Sequence, residues 1–144
     1  MHITLKAAAC LLAIAYLPAC TSGAEDDTRS AETFDRIAEG ESVSAGGTEP
    51  FWSVQIEGSE AVFSTPENID GTAFAVSRFA GNSGLAFTGA MDGEEVVLTV
   101  TEGMCSDNMS DYDYPFTATL QIGERLLEGC ATSDSNPKTG SESL

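Results

Sequence analysis

The chain has 144 residues, enough for one domain and too few for two. Its 23 acidic residues against 6 basic ones give a net charge of −17. That balance argues against nucleic acid as a partner and against adsorption to an anionic lipid surface, while a cationic partner remains compatible with it.

In chain order, the first segment to stand apart is residues 1–19. It contains no acid, and its one Lys or Arg is Lys6. An apolar run, Ala7 to Leu17, follows, too short to span a bilayer as a helix, which takes about 20 residues. A basic start, a short apolar core and small residues before a cleavage point describe a signal peptide. The end of the segment, Leu17-Pro18-Ala19-Cys20, resembles the lipobox of bacterial prolipoproteins, although Pro18 is an unusual choice there. The resemblance implies cleavage before Cys20 and lipidation, including palmitate-type acyl chains, on that cysteine. Each buried acyl CH₂ contributes about 0.8 kcal/mol, so several chains hold firmly where one binds reversibly. Thr21 after Cys20, in place of Asp, implies by the same resemblance the outer membrane, facing the periplasm. Loss of Lys6 with the signal leaves five basic residues against 23 acids, a mature charge of −18.

Residues 20–46 read as a lipidated acidic tether. Thr21 to Ser30 is small, polar and acidic without apolar periodicity. Ser30 to Ala38 is expected to form two turns of helix, with Ser30 as cap and Phe34, Ile37 and Ala38 on one face. Gly40 and Gly46-Gly47 then break the chain. A tether of this length has an r.m.s. reach of roughly 25–30 Å.

From Thr48 the apolar period changes to two, the signature of half-buried strands. Trp52, Val54 and Ile56 alternate with polar residues. Gly58-Ser59 turns the chain into Ala61 to Ser64. Thr65 to Asn68 and Asp70-Gly71 read as loops. Phe74 and Val76 mark a third strand, Leu85 and Phe87 a fourth. Asp92-Gly93 is a type I′ hairpin signal leading into Val96, Leu98 and Val100. Phe116 to Ile122 form a sixth strand, and a turn near Gly123-Glu124 returns the chain through Leu126 to Ala131. The prediction is an all-β domain over residues 47–132, a small antiparallel barrel or sandwich of about seven strands. Residues 133–144 are expected to fray.

Cys10 leaves with the signal and Cys20 carries lipid, so in an oxidising compartment Cys105 and Cys130 are expected to pair. The alternatives are two free thiols or a thiolate metal site, for which two isolated cysteines without histidine are a poor set. Four segments, Gly47-Thr48-Glu49-Pro50-Phe51-Trp52, Cys105-Ser106-Asp107-Asn108-Met109-Ser110, Tyr114-Pro115-Phe116 and Gly129-Cys130-Ala131, resemble an uncharacterised family of bacterial envelope proteins. That family shows G-N-E-P-F-W, C-x-D-x-M-S with a nearby Y-P, and a closing G-C-A, and is often associated with META-type domains. The resemblance covers residues 46–132, with Thr48 in place of the family's Asn. It implies an envelope location and a small β fold, and no particular activity.

Two stretches offer candidate chemistry. In Glu49 to Trp52, the aromatic pair reads either as a platform for glycan or peptide, with Glu49 as a polar contact, or as Trp52 plugging the barrel. Successive strand residues face opposite sides, so Phe51 and Trp52 cannot both be core. In the Met104–Pro115 loop, Asp107, Asp111 and Asp113 do not follow EF-hand spacing. Asp107 is expected to cap a turn and Met109 to pack on the core. The candidate binding surface is therefore Glu49, Phe51, Trp52, Asp107, Met109 and Tyr114. The only histidine, His2, departs with the signal, which removes Ser-His-Asp, Cys-His and His-ligated zinc chemistry. No enzymatic site, metal or cofactor is predicted, and a carboxylate-pair glycosidase is the weakest alternative. The reading is a membrane-anchored binding or structural accessory module of the envelope. Its rival is an inhibitor of a cationic enzyme such as lysozyme, steered by charge.

Overall fold

The computed structural model describes residues 32–141. The signal segment, the lipobox with Cys20 and the acidic stretch up to residue 31 lie outside them. The described chain forms β1 (Val43–Thr48), β2 (Phe51–Glu57), β3 (Glu60–Thr65), β4 (Asn68–Ala80), β5 (Gly84–Met91), β6 (Glu94–Cys105), β7 (Tyr114–Ile122) and β8 (Arg125–Ser133). Each strand pairs antiparallel with the next, and β1 pairs with β8, so the sheet closes into an up-and-down barrel. Closure leaves no open sheet edge among these strands.

The period-two pattern accounts for the interior. Trp52, Val54 and Ile56 on β2 point inward, as do Val96, Leu98 and Val100 on β6, and Phe116, Ala118, Leu120 and Ile122 on β7. Eight strands enclose a lumen just wide enough for such side chains to fill. The outer wall carries Ser53, Gln55 and Glu57 on β2 and Thr117, Thr119 and Gln121 on β7. An apolar lumen with a polar wall reverses the arrangement of a barrel built to face lipid. The turns follow local chemistry. Asp92 and Gly93 both take positive φ, 53° and 84°, as type I′ geometry demands. Glu49 and Pro50, joined by a cis peptide bond, form the two-residue turn between β1 and β2.

Several expectations need correction. There are eight strands, because Gly46 and Gly47 lie inside β1 and do not break the chain. A Cβ at Gly129 would collide with the Gly46 backbone, and one at Gly47 with the Glu128 carbonyl and the Trp52 indole. Small residues are what let β1 and β8 close the barrel here. Asp70-Gly71 is not a loop. Gly71, at φ 77°, sits within the 13-residue β4, opposite a register shift in β3 between Phe63 and Thr65.

The segment from residue 32 to Ala38 is not helical. Its backbone is irregular because Phe34 and Ile37, 7% and 1% exposed, are used to close one end of the barrel. Phe34 meets Phe116 edge-to-face at 6.1 Å. The Phe34 amide donates to Gly81 O at 2.8 Å, and Arg78 Nη2 donates to Ile37 O at 2.8 Å. Arg36 pairs with Glu102. The folded unit therefore starts ahead of residue 47, and the expected tether loses about half its length, from Phe34 onward, to the barrel.

Beyond β8, Ser133 and Asn136 exchange backbone hydrogen bonds, and so do Asp113 and Thr139. The residues after 132 are thus tied down by hydrogen bonds as far as Thr139, where fraying was expected. Glu41 joins this tail to the N-terminal plug by accepting from Ser135 N and Oγ and from Ala38 N. Burial pushes the Glu41 carboxyl pKa up. Hydrogen bonds from Ser133, Ser135 and the Ala38 amide outweigh that and hold it at about 2.

Candidate functional site

The Cys105–Cys130 disulfide is formed, with a Cα–Cα distance of 5.6 Å. Cys130 lies on the outer face of β8, between inward Gly129 and Ala131 in the alternation. The bridge therefore pins the β6–β7 loop, Ser106 to Asp113, against the outside of the barrel. A register shift between Glu102 and Cys105 at the end of β6 redirects the chain for this.

Asp107 organises the pinned loop. Its carboxylate accepts from Met109 N at 3.0 Å, Ser110 N at 2.8 Å, Ser110 Oγ at 2.8 Å and Tyr114 OH at 3.0 Å. Asn108 takes φ 58°, a left-handed conformation that Asn tolerates, so the loop can turn beneath that carboxylate. The Met109 and Ser110 amides are the main reason the Asp107 pKa falls to about 2, against a smaller upward push from burial. Burial and the adjacent Asp107 charge both raise Tyr114. Thr48 Oγ1 donates to Asp107 O at 3.2 Å and ties the loop to the end of β1.

Two outer clefts flank this loop, both floored by Gly46 and Gly47. One, of about 570 Å³, runs between the loop and the C-terminal segment. Its walls present Ser44, Ser53, Thr132, Asp107, Tyr114 and Lys138. The other, of about 700 Å³, opens on the opposite side between Glu49, the loop and Glu128. Gly46 faces outward and has no side chain, so the wall is recessed there. Lys138 Nζ stands 3.7 Å from the centroid of the Tyr112 ring and 5.8 Å from that of Tyr114.

The six predicted surface residues divide. Asp107 and Tyr114 line the first cleft, and Glu49, Asp107 and Met109 the second. Met109 is 64% exposed and does not pack on the core, because the disulfide and Asp107 hold its loop outside the barrel. Trp52 leaves the surface set. It is 4% exposed, and its indole Nε1 donates to Glu128 O at 3.3 Å. Phe51 is 51% exposed beside Pro66 and Ile69, in a separate shallow hollow. Of the two roles weighed for the aromatic pair, Trp52 fills the lumen and Phe51 stands outside.

Sequence reasoning missed Ser44, Ser53, Thr132 and Lys138. None sits in a motif, and only barrel closure and the returning tail bring them together. Among the described residues, no three of His, Cys, Asp and Glu converge as a metal site would require.

The fold and its clefts define a class: a filled eight-stranded up-and-down barrel with a disulfide-pinned external loop. No family model, no curated protein and no solved structure matches the chain.

Proposed function

We propose that this chain is a lipid-anchored protein of the bacterial envelope, held through acyl chains on Cys20 at the outer membrane. In this reading the barrel is a rigid frame, and binding takes place in the outer cleft between the β6–β7 loop and the C-terminal segment. The protein acts by holding a partner and performs no chemistry of its own.

The observation that carries the binding half is the construction of the cleft. The lumen is filled by side chains, which directs a ligand to the outside. The outer wall is recessed at Gly46, and both flanking walls are fixed, one by the disulfide and the Asp107 hydrogen bonds, the other by the Asp113–Thr139 bridge. Pre-fixed walls lower the entropy cost of binding. Hydroxyls from Ser44, Ser53 and Thr132 and the Tyr114 ring suit a polar ligand with a flat or extended face. The anchoring half rests on Leu17-Pro18-Ala19-Cys20, and a formed disulfide supports residence in an oxidising compartment. The motif resemblance to envelope proteins points the same way.

Intact mass of the membrane-extracted protein tests the anchor. The expected product starts at Cys20 and carries acyl mass, and Cys20→Ser yields a chain without it. A mature chain without acyl mass contradicts the anchor. For the cleft, Thr132→Trp fills it, whereas Thr88→Trp sits exposed on β5 at the far wall. Thr132→Trp is expected to fail, and Thr88→Trp to succeed, in restoring the envelope phenotype of a deletion strain. Equal rescue by both contradicts the assignment.

A further inference from the structure

A cation is already seated at the margin of the first cleft, which Lys138 and Tyr114 line. Lys138, from the C-terminal segment, places its ammonium 3.7 Å over Tyr112 with Tyr114 beyond it at 5.8 Å. The position is held by folding on both sides. The Asp113–Thr139 bridge brings Lys138 alongside the loop. Tyr114 is fixed through its hydroxyl to the Asp107 carboxylate, which the Met109 and Ser110 amides also bind. Asp107 and Asp134 both line this cleft together with Tyr114, so two carboxylates flank the approach to that ring.

We propose that the Tyr112–Tyr114 pair is a receptor site for a lysine or arginine side chain of an extended, cationic protein segment, and that Lys138 occupies it as an internal stand-in until the partner displaces it. This rests on the cleft reading above and names the partner's chemistry. Three features favour that occupant. The faces of tyrosine rings attract cations, and one is seated there in the free protein. The chain's net charge of −17 draws a basic segment toward it. Besides Tyr114 the cleft presents Thr132, Ser44 and Ser53, whose hydroxyls can bond the backbone of a segment laid along it. Lys138 is itself exposed and carried on a segment outside the barrel. Its release therefore leaves the core untouched.

The test uses the full-length mature chain carrying Cys20→Ser, with hexalysine as probe and hexa(Nε-acetyl-lysine) as the uncharged control, followed by amide NMR and calorimetry. Hexalysine is expected to shift the amides of Tyr112, Tyr114 and Thr132, and the acetylated peptide to leave them unmoved. Lys138→Gln removes the internal competitor and tightens hexalysine binding about two- to fivefold, the range of an exposed cation–ring contact. Tyr112→Ala weakens it by a similar factor, and Tyr112→Phe, which keeps the ring, restores it. Shifts spread over the acidic surface, or binding indifferent to both Lys138→Gln and Tyr112→Ala, overturn the cationic occupant. If Thr132→Trp still abolishes rescue in cells while hexalysine behaves that way, the cleft reading stands and only the partner's chemistry falls. If Thr132→Trp rescues fully, both fall.

Discussion

Residues 51 and 52 are adjacent, aromatic and on opposite faces of β2, so their replacement measures the sidedness of the barrel wall directly. Trp52 is 4% exposed and donates its indole hydrogen to Glu128 O. Trp52→Ala removes the transfer free energy of a whole buried side chain and opens a cavity in a lumen that cannot collapse easily. Such changes cost about 3–5 kcal/mol, and stranding the Glu128 carbonyl adds about 1 kcal/mol. Phe51 is 51% exposed. Its truncation forfeits roughly half of a phenylalanine's transfer term and leaves no sealed cavity, because water fills the space, so about 1 kcal/mol is expected. For a domain of this size the first change lowers Tm by roughly 15–30 °C and the second by roughly 4–8 °C. Urea unfolding of both variants with the disulfide intact, followed by circular dichroism, gives the two midpoints. Equal losses, or a smaller loss for Trp52→Ala, would refute the assignment of Trp52 to the lumen.

Further outcomes follow from the pinned loop and the plug. Removing the disulfide with Cys105→Ala/Cys130→Ala frees a loop with a sequence separation of 25, which the chain-entropy relation values at about 3.5 kcal/mol. Hydrogen exchange should show the largest protection loss across residues 105–114. The Asp107 carboxyl has a depressed pKa, so its contribution is complete above the ordinary carboxylate range and lost as pH falls from about 4 towards 2. NMR signals of Met109, Ser110 and Tyr114 should titrate together in that window. In Asp107→Asn the same signals should be displaced at neutral pH and insensitive to it. Phe34→Ala removes a buried ring that packs on Phe116 and should cost about 3–5 kcal/mol by denaturant midpoint. A loss below about 0.5 kcal/mol would mean that residues 32–38 are dispensable tether.

The strands that sequence reasoning located are those whose side chains alternate. Trp52-Val54-Ile56 and Phe116-Ala118-Leu120-Ile122 report burial through the chemistry of one face, and their turns carry Asp92-Gly93 or a single glycine. β1 stayed hidden because its alternation is only Val43 and Ala45 before two glycines take over. Gly46 and Gly47 are there so that β8 and the Trp52 indole can approach its backbone, and hydrophobic periodicity does not register that. Phe34 and Ile37 keep helical spacing, yet they are recruited as a plug, a case of packing overriding local preference. The disulfide and the role of Asp107 were legible from residue type and from the oxidising compartment that the first twenty residues lead one to expect. The cleft was not. It is assembled from Ser44–Ser53, the 105–114 loop and Thr132–Lys138, and nothing local to any of these segments announces the other two.

We propose the outer cleft over Gly46 as the place where this protein meets its partner. A photo-crosslinking residue placed in the full chain at Ser53, at Thr132 or at Thr88 tests it in intact cells. A discrete adduct of one mass is expected from Ser53 and Thr132, absent from Thr88 and lost from both cleft positions when Tyr112→Ala/Tyr114→Ala is added. Adducts of equal yield from all three positions, or none from the two in the cleft, would contradict it.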